Sequence, residues 1–225
     1  MPRARTAIFV MGNMIHPAHF EDPEKRPDGK DDLRQLGIEP HEKVIACIAR
    51  LIPEKMLDDV VRSVAWLKEQ GAPVRLLFVG DGAERDNLAR LAAGLGISSQ
   101  IVFAGNRDQE WLARVIPGLD AVVSPISGRA LTEAGLGAAP IVAYDVDWQG
   151  EVIRTGETGE LVPCGDWQEM ARTIGRLLGD PGYGRRLGSR LRAELMEMMD
   201  PRKTNSAQAA VYDRLLEARR RARRS

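Results

Sequence analysis

Arg50 and Lys55 stand five residues apart around Pro53, and Ser127 to Glu133 read SGRALTE. These are residue types that suit a phosphorylated nucleoside. Two fixed cations can neutralise the charge that gathers on a departing diphosphate. The run from Ser127 is expected to open a helix, with Gly128 permitting a turn that side chains would obstruct. The amides of Ala130 and Leu131 are then expected to be unpaired donors at the helix start, where N–H groups attract phosphate. Ser127, Gly128 and Arg129 add hydrogen-bonding groups beside them. Glu133, one turn in, can accept hydrogen bonds from a ribose diol. The competing reading of Glu133 is an i,i+4 pair with Arg129, which would contribute only a few tenths of a kcal/mol. A capping box is excluded, because the residue three before Glu133 is Ala130.

Three other places offer less. Gly80-Asp81-Gly82 allows a tight turn and a close ligand approach at Gly82, but Arg85 occupies the third glycine position of G-x-G-x-x-G. Asn106, in Gly105-Asn106-Arg107, can meet a base. Asp145-Val146-Asp147 has the form of a D-x-D divalent-metal site, yet it ends an apolar run just before Trp148 and reads better as a strand-to-helix turn; no metal is expected. Lys55 also has a bland alternative, pairing with Glu54 or Asp58 on the surface.

Alternating short elements must position these residues. Apolar runs of strand length occur at Lys43–Ala49, Val74–Gly80, Gln100–Gly105, Asp120–Pro125, Ala139–Asp145 and Glu160–Pro163. Helical periodicity follows them at Leu57–Gln70, Glu84–Leu95, Gln109–Ile116, Arg129–Leu136, Gly150–Arg154 and Trp167–Leu178. The repeated strand-then-helix order predicts an α/β fold: a single Rossmann-like, doubly wound parallel sheet of about six strands. In such a sheet ligands bind beyond the carboxyl ends of the strands, which is where Arg50, Gly82, Asn106 and Gly128 fall. After Asp180 the alternation stops, and two C-terminal helices separated by Asp200-Pro201 are expected on the outside. Residues 1–42 read as a linker-like segment, with Phe20 to Glu42 a charged surface loop broken by Pro23, Pro27 and Gly29. Residues 43–180 form the expected ligand-binding domain, and 181–225 the helices with a basic end.

Composition narrows the classes. Lysine plus arginine equal aspartate plus glutamate at 32 each, so no overall field draws the chain to nucleic acid. His16, His19 and His41 all precede the first strand, without zinc or Ser-His-Asp spacing. Cys47 and Cys164 form no C-x-x-C pair, which suits a reducing cytoplasm. The amino-terminal apolar patch is too short for a signal peptide, and no run approaches the roughly 18 apolar residues of a membrane span. The cluster RRRARR at Arg219–Arg224 reads as a solvated tail or as a peripheral contact with an anionic membrane.

Taken in order, ARLIPEK (Ala49–Lys55), FVGDG (Phe78–Gly82), VFAGN (Val102–Asn106), TEAGLGAAPIVAYD (Thr132–Asp145) and TGETGELVP (Thr155–Pro163) resemble the donor half of retaining GT-B glycosyltransferases of the family 4 type. The resemblance implies one of two Rossmann-like domains facing a cleft, holding a UDP- or GDP-linked sugar without a metal. Arg50 and Lys55 would hold the phosphates and Glu133 the ribose. It also implies an acceptor-binding domain, which this chain does not supply and a separate or missing partner would. The family's usual glutamate eight positions before Glu133 is Pro125 here. Two other readings share the fold: a non-catalytic nucleotide-binding or interaction module, and half of a nucleotide-sugar epimerase or phosphorylase.

Overall fold

Strand β1 (Val44–Ile48) runs between β2 (Arg75–Val79) and β4 (Ala121–Ser124) in a sheet whose order is β3-β2-β1-β4-β5-β6, with every pairing parallel. The remaining strands are β3 (Ile101–Gly105), β5 (Ile141–Tyr144) and β6 (Glu160–Val162). The structure is a computed structural model that describes Phe20 and residues 29–222. From β1 the chain winds outward to β2 and β3, then returns to lay β4 on the other side of β1. The loops after β1 and β4 therefore diverge, leaving a crevice at the carboxyl rim of the sheet.

Strand residues alternate between two cores, as the pleat requires. Ala46, Leu77, Val122 and Ala143 face one side, packed beneath α4 (Gln109–Val115), α5 (Arg129–Leu136) and the carboxyl half of α8 (Pro181–Met198). Ile45, Phe78, Val123 and Tyr144 face the other, covered by α2 (Leu57–Glu69), α3 (Arg85–Gly94) and α7 (Trp167–Gly179). Coverage on both faces explains why the strands are apolar runs and not alternating patterns. A four-residue helix α6 (Gln149–Val152) lies between β5 and β6, and α9 (Pro201–Ala222) ends the described chain.

The surface loop expected between Phe20 and Glu42 differs from what forms. Lys30–Gln35 is a helix, α1, and Phe20, Leu33 and Ile38 are buried in the same core as α4. Asp32 receives both the Nε and the Nη2 of Arg114 at 3.1 and 3.2 Å, and Arg192 on α8 donates to the Phe20 carbonyl at 2.6 Å. A six-residue helix with one buried leucine has too little periodicity to stand out among prolines and charges. Helix α8 is not merely external either: Leu187, Leu191 and Leu195 enter the two cores. The apolar amino-terminal patch, His16, His19 and the basic residues Arg223 and Arg224 lie outside the described residues. Among the described residues no helix is long and apolar enough to cross a membrane.

Candidate functional site

The loops after β1 and β2 leave the sheet together: Ala49 N–H donates to the Val79 carbonyl and Leu51 N–H to the Asp81 carbonyl, each at 3.0 Å. Gly82 belongs to this joint. Its φ is +158°, and a Cβ there would lie 2.3 Å from the Leu51 carbonyl oxygen, so the position excludes any side chain. That is a packing role. Gly82, expected from sequence to allow a close ligand approach, is not among the residues that line the cleft. Beyond Leu51 the chain makes a 3-10 turn at Pro53–Lys55, which ends at Met56 in a left-handed conformation, φ 50°. Lys55 reaches across the crevice, and its Nζ donates to the Ser127 carbonyl at 2.5 Å.

On the other bank, β4 runs through Pro125 and Ile126 into α5. Two expectations for this segment are corrected. Gly128 has φ −176° and ψ 173°, an extended conformation open to any residue, and a Cβ would sit 3.7 Å from Lys55 Nζ. What glycine provides is open space beside the lysine, not a turn. The Leu131 amide is not an unpaired donor either: it donates to the Gly128 carbonyl at 3.1 Å, and the Leu131 side chain is in the core. No side chain caps α5, so the amides of Arg129 and Ala130 are the donors left at the helix start.

Between the banks lies a cleft of about 520 Å³. It brings together Arg50, Lys55, Asn106, Ser127, Gly128, Arg129, Ala130 and Glu133, with Ile48, Val79 and Leu112 as apolar floor. Among the described residues no carboxylate lies within 4 Å of Arg50 or Lys55; Asp58, the alternative partner of Lys55, instead faces Arg62 at 3.7 Å. Beneath Lys55, burial pushes the Cys47 thiol up to about 12, so it stays protonated and is no nucleophile.

Glu133 is buried; its Oε1 accepts a hydrogen bond from Gln109 Nε2 at 2.9 Å and forms an ion pair with Arg129, 3.1 Å from its Nε. The pair with Arg129 that competes with ribose binding on sequence grounds thus exists, but it occupies one oxygen. Among the described residues, no hydrogen bond is made to Oε2. Arg129 and Glu133 also form a wall of an adjoining cavity of about 600 Å³, lined otherwise by Arg107, Asp108, Gln109, Glu110 and Leu112.

Several residues escape sequence reasoning. Arg107 lines both cavities, with its guanidinium 5.1 Å from the Trp111 ring centroid; its place next to Asn106 at a strand's carboxyl end was the available signal. Gln109 has no sequence signal, since a glutamine opening a helix is ordinary. Asp147 and Gln149 act from behind the cleft. Asp147 Oδ2 accepts from Ser127 Oγ at 2.9 Å, and the buried Gln149 donates to the Pro125 carbonyl at 3.1 Å. Among the described residues no group of three His, Cys, Asp or Glu side chains is arranged to hold a metal ion.

Comparison with known proteins places this architecture. The family described as Glycosyl transferases group 1 matches residues 28–194, about three-quarters of the chain. D-inositol 3-phosphate glycosyltransferase of Nocardia farcinica is 35% identical over 177 residues, covering 73% of this chain and 39% of that protein. The Mycobacterium marinum protein of the same name is 31% identical over 214 residues, covering 91% and 45% respectively. The chain therefore spans less than half the length of these relatives. Among solved structures, Anabaena HepE in complex with UDP-glucose superposes with a TM-score of 0.80 at 24% identity, over 91% of this chain and 57% of that one. Sucrose-phosphate synthase from Thermosynechococcus elongatus gives 0.75 at 26% identity, over 88% and 51%. With a parallel 3-2-1-4-5-6 sheet, a charged cleft at its switch point and this match, the chain belongs to the group 1 glycosyl transferases.

Proposed function

We propose that this chain is the donor-binding half of a retaining glycosyltransferase, holding a nucleoside diphosphate sugar in the β1/β4 cleft. The observation that carries the reading is charge placement. Arg50 and Lys55, which have no carboxylate within 4 Å among the described residues, share one cleft with a buried glutamate whose Oε2 accepts no hydrogen bond from them. The diphosphate would lie between the two cations and the amides of Arg129 and Ala130, and the ribose diol would donate to Glu133. The base then continues past Glu133, away from the cations, into the cavity beside Arg107. UDP is the first nucleotide to test, with GDP next.

In transfer, the bond from the anomeric carbon to the diphosphate oxygen breaks and negative charge grows on that oxygen. Arg50 and Lys55 are placed to stabilise that charge, so the reading requires no metal. Transfer also requires an acceptor-binding half, supplied by further chain or by a separate polypeptide. We place the protein in the cytoplasm, with the cationic end from Arg219 as a peripheral contact for anionic lipid; co-sedimentation with phosphatidylserine vesicles tests that contact.

Isothermal titration with UDP, GDP, ADP and their glucose or mannose conjugates tests the donor site, and absence of binding below millimolar overturns it. A second reading, a nucleotide-binding module without transfer, is favoured by one feature. Pro125 stands where the family pattern places a glutamate near the transferred sugar. Failure to transfer sugar when an acceptor half is supplied, with nucleotide binding intact, selects that reading.

A further inference from the structure

Asp147 occupies a left-handed backbone conformation, φ 55°, where an L side chain costs roughly 1 kcal/mol and glycine costs nothing. Its carboxylate has a contact that glycine would lose: Oδ2 accepts from Ser127 Oγ at 2.9 Å, and the Ser127 carbonyl in turn accepts from Lys55 Nζ. Two residues on, Gln149 is fully buried. Its Nε2 donates to the Pro125 carbonyl at 3.1 Å and the Tyr144 carbonyl at 2.9 Å, while its Oε1 accepts from Ser124 Oγ at 3.1 Å. The loop after β5 and the start of α6 thus grip Ser124 at the end of β4 and Pro125 and Ser127 beyond it, from inside the fold through Gln149 and from the solvent side through Asp147. Neither side chain lines the cleft.

We infer that Asp147 and Gln149 are positioning residues that brace the segment Ser124–Ala130. They fix where the Ser127 carbonyl holds Lys55 Nζ and where the first amides of α5 point. The grip itself is a property of the folded chain; its effect on ligand affinity rests on the nucleotide-binding reading above.

The test is Asp147→Gly, with Asp147→Asn and Gln149→Leu beside it. Glycine suits the left-handed φ, so Asp147→Gly should leave the thermal midpoint unchanged or higher while removing the grip. Amide hydrogen exchange at Ser127–Ala130, measured without nucleotide, should rise about tenfold in Asp147→Gly and in Gln149→Leu, as expected for a locally loosened segment. UDP affinity should fall about fivefold in Asp147→Gly, the effect of one lost hydrogen bond. Asp147→Asn keeps an acceptor oxygen and should restore both readouts towards the native chain. Unchanged exchange at Ser127–Ala130 in Asp147→Gly overturns the brace. Native UDP affinity in that variant overturns its role in binding. If the native chain binds no UDP, GDP or ADP, the nucleotide reading fails separately, and exchange alone decides whether the brace exists.

Discussion

The two ends of strand β1 treat charge in opposite ways. At the amino end, Lys43 Nζ meets Asp120 Oδ1 at 2.8 Å, and the other oxygen of Asp120 accepts the Val44 amide at 2.8 Å. Beside them Arg75, which opens β2, pairs with Glu42 at 3.0 Å. Every cation there has a carboxylate within reach. At the carboxyl end, Arg50 and Lys55 have none among the described residues, although the chain carries as many acids as bases. Neutralised charge at one end serves the fold. Charge left unbalanced at the other is available to a ligand that brings its own anions, and that separation of duties is open to test.

The largest effect expected is at the ligand end. Arg50→Ala and Lys55→Ala should each weaken UDP binding by roughly 10- to 100-fold, the range for losing a hydrogen bond to a charged group, with little change in thermal midpoint. A fall in stability with binding intact would break the comparison. Asp120→Ala at the opposite end should do the reverse, costing about 2 kcal/mol in denaturant unfolding with UDP affinity unchanged, because it strips a charged acceptor from both Lys43 and the Val44 amide. Glu133→Gln sharpens the ligand side. It should reduce the preference for UDP over its 3′-deoxy analogue by severalfold, since a carboxylate accepts from a diol more strongly than an amide does. A preference unchanged in competition titrations would remove Glu133 from ribose binding.

The smallest effect concerns pH. A hydrogen bond from the Glu39 amide, helped by Arg75, holds the Glu42 carboxyl below its ordinary 4.5. A carboxyl depressed in the folded state contributes stability that is present above its unfolded pKa and lost as pH falls through the folded one. The thermal midpoint of the native chain should therefore drop below about pH 4.5 more than that of Glu42→Gln, and equal slopes would show that the pair is idle. Salt offers a cross-check, since screening should weaken UDP binding at the carboxyl end more than it weakens the partly buried pairs at the amino end.

Much of this arrangement is legible in sequence because the strands are buried on both faces. Runs such as LLFV and IVAY have no polar interruption, and the helix at Arg129–Leu136 begins at the residue the pattern indicates. Arg50, Lys55 and Glu133 are legible because each falls just beyond the carboxyl end of a strand or on the first turns of the helix that follows, where this fold gathers its cleft residues. The remainder is hidden in contacts distant along the chain. Nothing local marks Gln109 as the partner of Glu133, 24 residues away, or Gln149 as the clamp on Pro125. Gly128 misleads because glycine next to a helix start reads as a turn, whereas its backbone is extended and its use is the empty space beside Lys55. Helix α1 escapes because its stabilisation comes from burying Leu33 and from Arg114, both tertiary effects.

Arg107, Leu112, Arg129 and Glu133 line both cavities, and Arg129 is 60% exposed. Rotamer exchange of such a surface residue takes picoseconds to nanoseconds, far faster than a loop or domain closes. Its guanidinium can therefore reshape the wall common to both cavities with the backbone at rest. On the nucleotide-binding reading, a side-chain flip on that timescale is too fast to limit association.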